Sequence, residues 1–251
     1  MTAALRTQGL SRSFGALKAV REVSFTLEPG ARHALIGPNG AGKTTFVNLL
    51  TGALPPSSGA VYLGADEITG LAQHERVKRG MTRTFQITTL FPGLTVLESV
   101  VLAIFERKGI AASLQTRVAN RTAEIHEAIH IIRELRLERD AGSVTRSLPY
   151  GKQRLVEIAV ALATRPRILL LDEPAAGIPA AESGEVFGVI AALPREVSVL
   201  FIEHDMDLVF RFAERITVLA QGSILAEGTP QEIGADPRVR EVYLGDEAGR
   251  G

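Results

Sequence analysis

The chain has 251 residues, 45% of them hydrophobic, with 28 Lys and Arg against 28 Asp and Glu and no cysteine. That length and apolar content can bury a sizeable core and exclude a disordered chain, while the charge balance excludes an overall field favouring nucleic acid or an anionic membrane. Disulfides and thiolate metal sites are excluded too, and with no signal-peptide pattern and no apolar run near the roughly 18 residues of a membrane span, a soluble cytoplasmic protein is expected.

In chain order, the alternating stretches 5–14, 23–30 and 59–68, punctuated by Gly and Pro, predict short strands of an antiparallel piece. Residues 31–37 (ARHALIG) are apolar without alternation, as a parallel strand buried on both faces reads. The run GPNGAGKTT follows at 37–45 and passes into TTFVNLLTG, which has helical spacing. Further on, LTVLESVVLAIFER and RTAEIHEAIHIIRELRL carry apolar residues at helical spacing and no strand signal. Residues 87–147 are therefore expected to form a helical lobe inserted in an α/β core, with the whole of 1–251 as one domain. A polar, glycine-bearing start at Gly151 opens an amphipathic helix over 152–163. Two more doubly buried strands are predicted at 167–173 (RILLLDE) and 197–204 (VSVLFIEH), the second leading into a helix over 205–216.

The run 37–44 fits G-x-x-x-x-G-K-[ST], and a strand before it and a helix after it are the context in which that pattern cradles phosphate. Its glycines allow the N–H groups of Asn39, Gly40, Ala41, Gly42 and Thr45 to converge on phosphate oxygens, and the helix dipole adds a partial positive charge. Lys43 is placed to bind the β- and γ-phosphates and the Thr44 hydroxyl to ligate Mg²⁺. Asp172 and Glu173 close a buried strand, Asp172 placed to hold Mg²⁺ directly or through water and Glu173 to orient or deprotonate an attacking water. Alone, that pair also fits an ordinary strand end with solvated acids. His204 faces the crevice at the end of the next strand, with two readings open: a hydrogen bond to γ-phosphate or water, or a cap on the following helix.

Together the phosphate loop (37–44), Gln86, LPYGKQ (148–153), the acidic strand end (168–173) and His204 resemble, in order and over almost the full length, the ATP-binding subunit of an ABC transporter. Within that family TRTFQITTLFPGLTVLESV, LPYGKQRLVEIAVALA, LDEPAAG, IEHDMDLVF and VREVYLGDE are most similar to subunits of branched-chain amino acid importers. The resemblance implies an α/β, P-loop parallel-sheet core with an N-terminal antiparallel β piece and a helical insertion. It implies ATP and Mg²⁺ as ligands, catalytic roles for Glu173, His204, Gln86 and Lys43, and metal ligation by Thr44, Gln86 and Asp172. Phe14 matches a ring that stacks on adenine in this family; its plain alternative is a core-facing side chain in an alternating strand.

The resemblance also implies head-to-tail dimerisation, as a homodimer or a paralogous heterodimer. Tyr150, Gly151, Lys152 and Gln153 of one copy then cover the ATP of the other, presenting a helix N-terminus to its γ-phosphate. Integral membrane permease subunits, received near Gln86, Leu90, Phe91 and Leu94, and indirectly a periplasmic binding protein are the implied partners; nucleic acid is not. The implied place is the inner face of the cell membrane. Two positions depart from the family pattern: Pro149 replaces a serine, leaving Lys152 or backbone groups for the γ-phosphate, and Pro179 stands where Asp or Asn is usual. A GTPase would need an Asn-Lys-x-Asp run that the chain lacks, and a small-molecule kinase would leave the helix start at Gly151 unexplained. An ABC exporter subunit of the lipid type, or a non-transport ABC ATPase, is the alternative.

Overall fold

The computed structural model describes residues 3–84, 92–110 and 121–248, with side chains as far as residue 243. The chain begins with β1 (Leu5–Phe14), β2 (Leu17–Val23) and β3 (Thr26–Leu27), passes through β4 (Arg32–Ile36) and α1 (Lys43–Thr51), and returns as β5 (Ser58–Leu63) and β6 (Asp66–Glu67). Strands β2, β1, β5 and β6 lie side by side in one antiparallel sheet, with β3 paired to β1. This is the expected N-terminal piece, with two differences. Residues 23–30 give only the short β3, and β2, which the sequence did not announce, is a charged edge strand whose exposed face hides the alternation.

Next come α2 (Gln73–Lys78), β7 (Met81–Arg83), α3 (Val96–Arg107), α4 (Thr122–Glu134), α5 (Tyr150–Ala163), β8 (Ile168–Asp172), α6 (Ala180–Ala191), β9 (Ser198–Ile202) and α7 (Met206–Phe212). The chain closes with β10 (Arg215–Ala220), β11 (Ser223–Gly228), α8 (Pro230–Ala235) and α9 (Pro237–Ala248). A second sheet runs β11-β10-β4-β9-β8-β7, parallel from β10 to β7 and antiparallel only at the β11 edge. Every residue of β4 and β9 is buried, Arg32 and His33 of β4 included, as strands covered on both faces are. The helix expected over 205–216 stops at Phe212. Ala213 is extended (ψ 141) and Ile216 pairs with Ala34 in the sheet, where burying Ile216, Val218 and Leu219 outweighs about one further helical turn.

The sheet divides two apolar cores. Leu35, Leu170, Leu200 and Ile202 face α1 and the antiparallel sheet, while Ile36, Leu169, Leu171 and Phe201 face the helices. Val100 and Ile104 of α3, Ala128 and Ile132 of α4, and Val156 and Ile158 of α5 belong to that second core, so the helices between β7 and β8 pack onto the sheet's own face. Each such Val, Leu or Ile stabilises the fold by about 1.5–3 kcal/mol, and together they hold the sheet's carboxyl edge rigid for what projects from it.

Candidate nucleotide site

Between β4 and α1 the chain turns back so tightly that side chains do not fit. A β-carbon on Gly37 (φ 149) would lie 2.1 Å from the Leu219 carbonyl oxygen, and one on Gly42 (φ 101) 2.4 Å from that of Ala19. Gly40 (φ 77) faces open space instead. Gly42 caps α1 without any side-chain acceptor, so the first N–H groups of that helix, with those of the loop, are presented to the groove beyond. The Lys43 ammonium is buried beneath the loop, donating to the carbonyls of Gly37 (2.6 Å) and Pro38 (3.0 Å).

The loop forms one wall of a groove of about 740 Å³. Asn39, Gly40, Ala41, Gly42, Lys43, Thr44 and Thr45 line it, with Phe14 on one side and Asp172, Glu173 and His204 on another. Phe14 is 45% exposed with the Arg12 guanidinium 4.8 Å from its ring centroid, which sets aside the core-facing alternative. Asp172 and His204 arrive together because β8 and β9 are adjacent and parallel, with Asp172 opposite Ile202. Glu173 takes a left-handed backbone (φ 47), uncommon for a residue with a side chain, and is pinned by its N–H donating to Ile202 at 3.0 Å. Its Oε1 meets His204 Nε2 at 2.9 Å. His204 does not cap α7; Asp205 does, its Oδ1 accepting from the Leu208 N–H at 3.2 Å.

Two residues that the sequence reading passed over complete the arrangement. Arg83, ending β7, pairs with Asp172 through Nη2 and donates from Nη1 to Asn48 Oδ1 at 2.7 Å. Glu203 is buried beside His204, its Oε1 accepting from the Ala175 N–H at 2.8 Å and its Oε2 from that of His204 at 3.0 Å. Burial pushes the Glu203 carboxyl above its ordinary value, opposed by these N–H donors and reinforced by the charge of Glu173. A lone glutamate closing the apolar run VLFIE was the available signal for it.

The helix start at Gly151 lies elsewhere. None of Tyr150, Gly151, Lys152 and Gln153 lines the groove. Tyr150 lays its ring against Gly177, where a β-carbon would come within 3.1 Å, and Gly151 is buried against Ile178, Glu182 and Val186. Lys152 pairs with Asp140 at 2.7 Å and Gln153 donates to the Leu148 carbonyl at 2.8 Å. Pro179 caps α6, its carbonyl accepting from the Glu182 N–H at 2.8 Å. Gln86, Leu90 and Phe91 lie outside the described residues; Leu94 is half-buried, its carbonyl held by Thr145.

Residues 20–176, well over half of the chain, match the family described as ABC transporter. The chain belongs to the ABC transporter family. A second match, described as branched-chain amino acid ATP-binding cassette transporter, covers residues 223–249. This cassette is 41% identical to the high-affinity branched-chain amino acid transport ATP-binding protein BraF of Pseudomonas aeruginosa, over 96% of this chain and 98% of that one. Its structure superposes on the ADP conformation of MJ1267, an ATP-binding cassette of an ABC transporter, with a TM-score of 0.83 at 30% identity, covering 98% of this chain and all of the other. The dimeric cassette MJ0796 gives a TM-score of 0.73 at 25% identity, over 90% and 98% of the two chains. The architecture is the ABC ATPase fold.

Oxygen donors suited to a hard divalent cation are present in that groove. The Thr44 hydroxyl and the Asp172 carboxylate both line it. Among the described residues no group of three or more His, Cys, Asp or Glu could hold a metal ion unaided. One carboxylate and one hydroxyl beside a phosphate cradle is the donor set with which Mg²⁺ enters together with a nucleotide.

Proposed function

We propose that this chain is the ATP-hydrolysing subunit that powers import of branched-chain amino acids, or related small polar solutes, through separate membrane subunits. The observation that carries the reading is the meeting of Lys43, Thr44, Asp172, Glu173 and His204 in one groove at the carboxyl ends of β4, β8 and β9. The match at 223–249 and the likeness to BraF support the choice of solute. Mg²⁺, when bound with the nucleotide, would neutralise phosphate charge, and Thr44 and Asp172 are the residues that would hold it. Lys43 exchanges its loop carbonyls for phosphate oxygens, and Phe14 stacks on the base.

Glu173 accepts a proton from the attacking water. Its contact with His204 supports a role for that ring next to the same water and the γ-phosphate. Gln86 is assigned to the metal and to the membrane partner's groove. The helix start at Gly151 serves a second copy or a paralogous cassette, whose nucleotide it covers with N–H groups and Lys152. Partner permeases carry the solute across the membrane, with the cassette on its cytoplasmic face; among the described residues no helix of the cassette is long and apolar enough to cross a membrane.

Reconstitution tests this. Placed in liposomes with the membrane subunits that copurify with it and their binding protein, the cassette is expected to hydrolyse ATP faster when the binding protein carries leucine, isoleucine or valine. Solute should accumulate on the side of the vesicle that holds ATP and the cassette, drawn from the side that holds the binding protein. Stimulation by an unrelated solute alone, or movement in the opposite direction, would contradict the reading.

A further inference from the structure

Arg83 does not line the nucleotide groove, yet its guanidinium occupies the one carboxylate there that is suited to a metal. We propose that Arg83 competes with Mg²⁺ for Asp172, so that the metal enters the site only by displacing an arginine. The inference rests on the reading that Asp172 holds the metal.

The local geometry follows from the sheet. β7 is the parallel edge neighbour of β8, with Arg83 opposite Leu170, so an arginine side chain extended along the strand direction reaches the strand end at Asp172. There its fork divides, Nη2 to Asp172 Oδ2 and Nη1 to Asn48 Oδ1 at 2.7 Å. Asn48 lies on α1, the helix that carries Thr44. Arg83 therefore ties together the two elements that supply the metal's protein ligands. The side chains of Arg83 and Asp172 are only 11% and 15% exposed, so solvent screens this pair far less than a surface pair.

A second cation can displace the guanidinium from Asp172. A divalent ion near a carboxylate that already holds a guanidinium is repelled by it, and for a bare ion one shared carboxylate and one hydroxyl do not offset that repulsion. An ion arriving with phosphate oxygens brings its own ligands and negative charge, and can take Asp172 over. Arg83 in this way makes the site select a metal–nucleotide complex over free metal.

The test is the affinity for Mn²⁺, used as a spectroscopic substitute for Mg²⁺ and titrated into the full chain carrying one equivalent of ADP, with free ion read by electron paramagnetic resonance. Competition predicts that Arg83→Gln binds Mn²⁺ about tenfold more tightly, the worth of one hydrogen bond to a charged partner. Arg83→Lys, which keeps the rival charge, should stay near the parent value. Arg83→Met keeps the aliphatic stem's packing and replaces the Gln variant should that one not fold. Unchanged or weaker Mn²⁺ binding in the neutral variants, with binding still lost in Asp172→Asn, would overturn the competition and leave Asp172 as a ligand that Arg83 merely supports. Unchanged binding in Asp172→Asn would overturn both the competition and the metal reading of Asp172.

Discussion

Glu173 combines three features that seldom meet in one side chain: a left-handed backbone, a place at the end of a buried strand, and a hydrogen bond to a histidine from the neighbouring strand. Its position follows from the sheet; its chemistry follows from the carboxylate. Glu173→Gln keeps size and backbone, so ATP binding should remain while hydrolysis falls by about a hundredfold or more, measured as single-turnover release of phosphate. At Gly42 the opposite holds, because backbone geometry alone decides. With φ 101 and a β-carbon 2.4 Å from the Ala19 oxygen, Gly42→Ala should lower stability by more than about 2 kcal/mol in urea unfolding and take nucleotide binding with it. The sequence made the loop, Asp172, Glu173 and His204 legible because each sits next to a punctuated, all-apolar strand. Arg83 was not legible, and Glu203 only as a lone acid closing an apolar run. Their partners, Asp172 and Ala175, are 89 and 28 residues away and are met only through the register of β7, β8 and β9.

At the scale of elements, β4, β8 and β9 were readable because burial on both faces leaves unbroken apolar runs, and α5 because its stripe is continuous. β10 and β11 were missed, and α7 overrun, because sheet pairing overrode a helical pattern that carries on through Ile216. Central strand β4 also carries a pH-sensitive residue. His33 is buried, meets Thr217 Oγ1 at 2.8 Å through Nε2, and packs edge-on to Phe25. Burial first, and the charge of Arg215 second, lower its pKa from 6.5 to about 4. The folded state therefore holds His33 neutral where the unfolded chain begins to bind a proton. This stabilising contribution is full above pH 6.5 and is lost as pH falls through about 4. Replacing His33 with Gln should flatten the loss of stability over that window by up to roughly 3 kcal/mol, read from urea midpoints at several pH values.

For the whole molecule the central feature is a division of parts. The groove holds the phosphate loop, the acidic strand end and His204, whereas the helix start at Tyr150–Gln153 is packed against residues 177–186 and Asp140 and does not line it. The order of these parts was legible in the sequence; that the last of them stands apart from the same chain's groove is a property of the folded chain. A site shared between two copies accounts for it. The decisive measurement mixes two variants in a Glu173→Gln background, Lys43→Ala and Lys152→Glu, carrying different tags. Lys152 is partly exposed, so reversing its charge should spare the fold at the cost of repulsion from Asp140, while setting a carboxylate against the neighbour's γ-phosphate. Each variant alone should retain little ATP, because both of its sites carry one lesion. In the doubly tagged heterodimer one site collects both lesions and the other has none, so labelled ATP should be retained at one nucleotide per dimer. Heterodimers that form and retain no ATP, or a Lys152→Glu homodimer that retains it as well as the parent, would contradict the shared site.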